Sequence, residues 1–232
     1  MRRRYTRKKK IGSFTYLNIT QFLGALNDNI YKLLIVFFLI DMQGVEKSPL
    51  ILSKAGAIFV VPFLLFSNTA GKLADRFSKR NIIVFSKVFE AVVMFAGFLA
   101  FATKSETGAY VTLFLMALQS AIFSPSKYGI VPELVSFDKI SRANGLLTSF
   151  TFLAIIIGTF LASFIVDMSS RNFVFAGVFC TIVAVVGMFA SFRIEYTPPM
   201  GHKKKANPFF FYEIYRTIMR SRQENRLFCA IL

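Results

Sequence analysis

Gly71-Lys-Leu-Ala-Asp-Arg-Phe-Ser-Lys-Arg80 is a short charged stretch with a long apolar run on each side. Each run has about 20 residues, the length that an α-helix needs to cross the hydrocarbon core of a bilayer. We therefore predict a charged loop between two membrane-spanning helices. The glycine permits close helix packing, and the aspartate and the basic cluster lie toward the turn. The residues 71–80 are called the signature stretch below.

Composition indicates a membrane protein. The 232 residues are 55% hydrophobic, the mean hydropathy is +0.56, and the net charge is +16. The basic residues occupy short segments between apolar runs and do not follow one folded face, which argues against a nucleic-acid partner. Topology explains the charge more simply, because the cytoplasmic loops of membrane proteins are rich in Lys and Arg.

The apolar runs predict an all-α fold with six transmembrane helices, centred on residues 13–40, 50–70, 81–101, 109–125, 142–166 and 173–192. Pro62 is expected to kink the second span. Prolines and a glycine make regular helix unexpected throughout 123–134. The predicted organisation is a basic amino terminus (1–12), a six-helix bundle (13–195), a linker with an amphipathic interfacial helix (196–225), and the start of a seventh helix (226–232). About six residues of this last run could be helical, and a helix of that length is much shorter than the hydrocarbon core of a bilayer, which is about 30 Å thick. We therefore expect the chain to be part of a longer protein.

Basic residues set the predicted orientation. The amino terminus, the signature stretch, the segment 123–142 and the segment from Arg193 onward carry 7, 4, 3 and 8 Lys and Arg residues, whereas the three intervening connections carry one each. The alternation predicts that both ends of the six-helix unit are cytoplasmic. A cleaved signal peptide is not expected, because polar residues interrupt the first apolar run and further spans follow.

The sequence gives little support for an enzymatic function. Cys180 and Cys229 both lie in apolar runs, and His202, the only histidine, lies in a lysine-rich segment. No metal-ligand set and no nucleophile–base pair can be assembled from these residues, so we predict no catalytic residue, no metal and no cofactor.

Charged and polar residues inside the spans are the candidate sites. Asp28 and Lys32 lie four residues apart in the first span, with the acid nearer the amino terminus, the favourable order for a helical ion pair. Lys87 and Glu90 form a second intramembrane pair in the third span. An unpaired charge at mid-bilayer costs about 2.5–3.5 kcal/mol on insertion scales, so such residues are functional candidates by default. The alternative is that each pair neutralises itself and only packs helices.

The signature stretch resembles the loop between the second and third helices of the major facilitator superfamily, G-x-L-x-D-R-x-G-R-R, with Ser78 and Lys79 departing from the pattern. Phe22–Lys32, Phe123–Leu134 and Arg142–Leu147 resemble the lysophospholipid transporter branch of that superfamily. The resemblance covers Ile11 to about Arg193. It implies two six-helix bundles, of which this chain holds the amino-terminal one, with the path between them. It also implies a lysophospholipid or similar amphiphile as substrate, and an acyltransferase or acyl-carrier-protein synthetase as an adjacent or fused partner.

The intramembrane polar residues are the candidates to bind the headgroup of such a substrate, and the resemblance implies a gating role for the signature stretch. We expect Asp28 to bind an ammonium group and Lys32 to bind a phosphate. The full set of expected substrate-binding residues is Asp28, Lys32, Asn29, Gln21 and Lys127. The expected gating residues are Gly71, Asp75, Arg76, Lys79 and Arg80. Of these, Asp75 would contact the opposite bundle. The third helix would lie at the periphery, so Lys87 and Glu90 are weaker candidates.

Two other functions stay open. The chain could belong to a carrier of another small amphiphile or metabolite, with Asp28 as a proton site. It could also be a membrane anchor that transports nothing and carries an appended acyltransferase. Membrane lipids are the expected surroundings in every case.

Overall fold

The computed structural model describes residues 2–199, with side chains from residue 12 onward. The predicted amphipathic helix within 196–225 and the apolar run at 226–232 therefore lie almost wholly outside the described residues. The helices are α1 (Arg2–Gln43), α2 (Ser48–Arg76), α3 (Lys79–Ala102), α4 (Glu106–Gly129), the one-turn α5 (Val131–Leu134), α6 (Ile140–Met168) and α7 (Phe173–Phe192). Six of them, between residues 12 and 192, are long and apolar enough to cross a membrane. This confirms the predicted all-α fold of a multi-pass membrane protein.

Side-chain caps fix where several of these helices begin. The side chains of Ser78, Ser105 and Asn172 accept hydrogen bonds from the backbone N–H groups three residues ahead, at the starts of α3, α4 and α7. Such caps satisfy backbone donors that a helix leaves without an intrahelical partner. Pro49 lies in the first turn of α2, where its missing N–H costs nothing.

The structure corrects two predictions about irregular backbone. The signature stretch is not a ten-residue loop, because α2 continues to Arg76 and α3 begins at Lys79. Likewise, α4 continues through Pro125 to Gly129, and only Ile130 separates it from α5. Helices α2 and α4 therefore both extend beyond their apolar runs. Charged side chains at a helix end can reach the membrane–water boundary, so they do not break the helix.

Packing arranges the six long helices around α1 and α4. Helix α1 packs mainly against α6 and α7, α3 packs between α4 and α7, and α2 packs against α4. Buried apolar side chains from all six long helices form one large cluster that includes Tyr31, Phe38, Phe101 and Met116. The exposed outer surface is also apolar, with phenylalanines such as Phe152, Phe160 and Phe189. An apolar outside and inside together suit a protein surrounded by lipid.

Glycines allow the closest helix contacts. A Cβ added at Gly158 of α6 would lie 2.8 Å from the backbone carbonyl oxygen of Leu26 in α1 and 3.1 Å from the Cβ of Asn29. Small residues at such positions let backbones approach and gain van der Waals contact, which is the main attraction between helices in lipid. Gly56 of α2, by contrast, has open space where a Cβ would lie.

We expect Gly158→Ala to lower the thermal stability of the detergent-purified protein, because the added methyl meets backbone that cannot move without separating α1 from α6. Overpacking of this kind costs about 1–3 kcal/mol. Gly56→Ala is the matched control and should be neutral or slightly stabilising, since alanine favours helix by up to about 1 kcal/mol. Circular dichroism during heating measures both variants. Equal melting temperatures for the two would show that α1 and α6 do not pack at Gly158.

Candidate functional site

A buried ion pair lies inside the bundle. Lys87 Nζ is 2.5 Å from Glu90 Oε2, and the two side chains are 1% and 2% exposed. Both residues are on α3, but their side chains point toward α1 and α4. The ammonium group also lies 4.9 Å from the ring centroid of Phe123. A Cβ at Gly24 of α1 would lie 2.0 Å from Lys87 Nζ, so α1 leaves room for the charge by having no side chain there.

Two amides complete the surroundings of Glu90. Asn27 of α1 donates to Glu90 Oε1 at 3.4 Å, and Gln119 of α4 donates to Glu90 Oε2 at 3.1 Å. A buried carboxylate that accepts several hydrogen bonds and faces an ammonium group is largely compensated for its lost hydration. The pair thereby ties α1, α3 and α4 together, although the sequence ranked it below Asp28 and Lys32.

Asp28 continues the same chain of contacts. The Ser120 hydroxyl contacts Asp28 Oδ2, and Ser120 Oγ also lies 2.9 Å from Gln119 Oε1. The other carboxylate oxygen of Asp28, Oδ1, has no hydrogen-bond partner in the described part of the chain. We call the six residues that these contacts join the central polar network: Asn27, Asp28, Lys87, Glu90, Gln119 and Ser120.

Lys32 does not form the ion pair with Asp28 that their spacing favours. No salt bridge within 4.0 Å joins them among the described residues. Lys32 Nζ instead donates to Asn29 Oδ1 at 3.3 Å and lies 5.1 Å from the ring centroid of Phe59 in α2. Asn29 in turn donates to the Ala25 carbonyl at 2.7 Å. Asp28 and Lys32 therefore contact different partners, Ser120 for the carboxylate and Asn29 with Phe59 for the ammonium group.

A second polar group lies closer to the signature stretch. Gln21 Oε1 accepts from Thr151 at 2.9 Å and from Lys127 Nζ at 3.4 Å, while Gln21 Nε2 donates to the Leu147 carbonyl at 3.1 Å. Lys127 also lies 4.7 Å from the ring centroid of Tyr128. Gln21 and Lys127 are thus brought together by α1, α4 and α6, in a cluster separate from Asp28 and Lys32.

The structure adds residues that sequence reasoning missed. Gln119, Ser120 and Asn27 all bond to the predicted charges, but uncharged polar residues are common in transmembrane helices and none stood out. A helical projection of α4 could have found Gln119, because a lone amide on an otherwise apolar stretch needs a partner. Within residues 12–199, no group of three or more His, Cys, Asp or Glu side chains could hold a metal ion.

The residues of the signature stretch separate into two groups. Asp75 and Arg76 are exposed at the end of α2, and Gly71 is half-buried with open space beside it. Lys79 and Arg80 instead make contacts within this bundle. Lys79 Nζ lies 2.7 Å from Glu133 Oε1 of α5, with both side chains 9% exposed. Asp75 and Arg76 are thus the members that present charge outward.

Arg80 closes the end of α7. Its Nε donates to the Ile194 carbonyl and a terminal guanidinium nitrogen donates to the Phe192 carbonyl, each at 3.2 Å. The last carbonyls of a helix have no intrahelical donors, and a cation there also faces the negative end of the helix dipole. Arg80 therefore joins the start of α3 to the end of α7.

Six helices long and apolar enough to cross a membrane, packed around a network of charged side chains, define a polytopic membrane protein. The family described as Major Facilitator Superfamily matches residues 17–232, nearly the whole chain. The chain belongs to that superfamily, and the six helices correspond to its amino-terminal bundle.

Named relatives and solved structures agree with this assignment. The chain is 28% identical over 176 residues to the lysophospholipid transporter LplT of Photorhabdus laumondii, covering 76% of this chain and 41% of the relative. The LplT proteins of Escherichia fergusonii and Klebsiella pneumoniae are 31% and 27% identical, covering 65% and 87% of this chain and 36% and 49% of theirs. The chain thus spans less than half the length of these curated relatives.

The fold is also similar to that of solved transporters. A POT family transporter in complex with 5-aminolevulinic acid aligns with a TM-score of 0.69 and 16% identity, covering 92% of this chain and 46% of the other. A POT family transporter in complex with a thioalcohol-conjugated peptide aligns with a TM-score of 0.64 and 14% identity, covering 94% and 45%. At such identities the likeness concerns the fold alone.

We expect Lys87→Met and Glu90→Leu each to destabilise the protein by about 3–5 kcal/mol, because each leaves one buried charge without its partner. The double variant should be more stable than either single variant, since it removes both charges. Thermal unfolding in detergent measures the series. Asp41→Asn is the control, because the Asp41–Arg171 pair is exposed and worth about 0–1 kcal/mol. A double variant no more stable than the singles would contradict mutual compensation.

Proposed function

We propose that this chain is the amino-terminal half of a transporter that moves a lysophospholipid, or a similar one-chain amphiphile, across the membrane. The observation that carries the proposal is the pair of opposite charges on α1. Asp28 and Lys32 are both half-buried near the middle of the first span, and each has contacts other than its neighbour. Intramembrane charges that do not pair with each other are candidates to bind a ligand.

A zwitterionic headgroup suits this arrangement. Asp28 Oδ1 lacks a described partner and would accept from an ammonium group, while Ser120 holds the other carboxylate oxygen. Among the described residues, Lys32 Nζ has one side-chain acceptor, Asn29 Oδ1, and keeps donors for a phosphate oxygen. The similarity to lysophospholipid transporters suggests the substrate class, and the charge pattern supports it independently.

The remaining polar residues would act around this pair. Asn29 orients Lys32, and Gln21 with Lys127 would provide a second phosphate contact further along the path. Lys87 and Glu90 would hold α1, α3 and α4 in place, and through Gln119 and Ser120 they would fix the Asp28 carboxylate. No catalytic residue belongs to this mechanism.

We propose that Asp75 and Arg76 meet a second six-helix bundle and stabilise one access state, whereas Lys79 and Arg80 keep the end of this bundle rigid. Alternating access would then rock one bundle against the other. In this scheme the amino terminus and the segment after α7 are cytoplasmic, in a bacterial inner membrane. Substrate moves from the outer to the inner leaflet, where an acyltransferase or acyl-carrier-protein synthetase would re-acylate it.

The first test is uptake of lysophosphatidylethanolamine into proteoliposomes that contain the full-length protein. We expect Asp28→Asn and Lys32→Gln each to lower uptake about tenfold or more, because a hydrogen bond to a charged group contributes about 1.5–3 kcal/mol. Glu46→Gln and Lys54→Gln remove equivalent charges at exposed positions and should keep wild-type uptake.

Each outcome separates the functions named above. No lysolipid uptake by folded wild-type protein would overturn the substrate, and uptake of another amphiphile would then identify the carrier. Loss of pH dependence in Asp28→Asn, without a change in headgroup selectivity, would favour a proton site. No transport by the full-length protein, with an appended acyltransferase active, would favour a membrane anchor.

The proposed orientation has its own test. Single cysteines placed at Glu46 and Asp138 in a variant without Cys180 and Cys229 lie in connections at opposite ends of the bundle. In intact spheroplasts, a membrane-impermeant maleimide should label the cysteine at position 46 and not the one at position 138. The reverse labelling would invert the topology.

A further inference from the structure

A cavity with charged walls lies at the end of the bundle opposite the signature stretch. It has a volume of about 280 Å³ and is enclosed by the end of α1, the end of α6 and the turn before α7. Its charged walls are Asp41, Asp167 and Arg171, with Ser163 beside them, and Phe37 and Phe173 supply apolar surface. None of these residues belongs to the central polar network.

The turn before α7 directs Arg171 into this place. Ser170 and Arg171 have φ angles of 51° and 63°, in the left-handed region that residues other than glycine rarely adopt. Arg171 then donates to Asp41 Oδ1 at 2.8 Å. A closing turn between two helices explains the backbone, but it does not require an arginine at the left-handed position.

The charges in the cavity are not fully paired. One terminal guanidinium nitrogen of Arg171 contacts one oxygen of Asp41, so the guanidinium keeps further N–H donors. The Asp167 side chain makes no hydrogen bond or ion pair within the part of the chain that the structure describes. Two carboxylates would repel a simple anion, and the guanidinium would repel a simple cation. A zwitterion with a phosphate and an ammonium group satisfies all three side chains.

The cavity borders the same helix as Asp28 and Lys32, because Phe37, Ile40 and Asp41 at the end of α1 line it. Asp41 lies 13 residues beyond Asp28, which corresponds to about 20 Å along a helix. Under the proposed orientation this end faces the outer leaflet, from which an imported lipid would come.

We propose that this cavity is an outer capture site, which binds the phosphate–ammonium headgroup of a one-chain lipid before the headgroup reaches Asp28 and Lys32. Arg171 binds the phosphate, Asp167 binds the ammonium group, and Phe37 and Phe173 contact the start of the acyl chain. The proposal rests on the transport function proposed above, but its site and its test are separate.

The test measures binding of glycerophosphoethanolamine, the water-soluble headgroup, to the full chain in lipid nanodiscs by isothermal titration. The starting protein is Asp28→Asn/Lys32→Gln, so that the central pair does not contribute. We expect this protein to bind the headgroup, and we expect Asp167→Asn or Arg171→Gln added to it to weaken binding about tenfold. Glycerol phosphate and ethanolamine, which each carry one of the two charges, should bind at least tenfold more weakly than the zwitterion.

Matched controls come from the α3–α4 connection at the same end. Glu106→Gln and Lys104→Gln remove the same charges outside the cavity and should leave binding unchanged. Arg171→Lys keeps the charge and should retain part of the affinity, and equal melting temperatures verify that the variants fold.

Binding by wild-type protein that disappears in Asp28→Asn/Lys32→Gln would overturn the capture site and leave the central site standing. Binding that persists in Asp28→Asn/Lys32→Gln but is unchanged by Asp167→Asn and Arg171→Gln would also overturn the capture site. Absence of binding both in wild-type protein and in Asp28→Asn/Lys32→Gln would overturn it as well. Binding that depends on Arg171 and Asp167, with the same affinity and stoichiometry in wild-type protein as in Asp28→Asn/Lys32→Gln, would support the capture site and count against the proposed central site.

Discussion

The burial of Lys87 and Glu90 is the constraint on which the arrangement of α1, α3 and α4 depends. At 1% and 2% exposure, neither charge has access to water, so each needs partners from the protein. Glu90 obtains them from Lys87, Asn27 and Gln119. Because these partners lie on three helices, the helices cannot shift independently without leaving a charge exposed to a medium of low dielectric.

Close packing around the pair follows from the same constraint. Gly24 accepts the Lys87 ammonium where a side chain would exclude it, and Gly158 lets α6 approach α1 on the other side. Gly97 does the same for Tyr31, whose hydroxyl contacts the Thr112 hydroxyl at 2.8 Å. Helix α1 is therefore fixed on several sides by contacts that only small residues permit. Asp28 and Lys32 are presented from this fixed helix.

The two ends of the bundle are built differently. At the signature end, Lys79 and Arg80 connect α3 to α5 and α7 through a largely buried ion pair and helix-capping hydrogen bonds. At the other end, the Asp41–Arg171 pair is 41% and 71% exposed and borders a cavity. The signature end is therefore closed by buried contacts between helices, whereas the other end has exposed charges beside a cavity.

The sequence by itself determined the six spans, the superfamily and the charged candidates, because a bilayer demands apolar runs of fixed length and makes each intramembrane charge conspicuous. The sixth span was predicted at 173–192, where α7 lies. Only the tertiary structure decided which charges pair. The spacing in sequence favoured an ion pair between Asp28 and Lys32. The Asp28 carboxylate instead contacts Ser120, which lies 92 residues away in sequence. Side-chain partners across helices depend on helix rotation and separation, which the period of one helix does not contain.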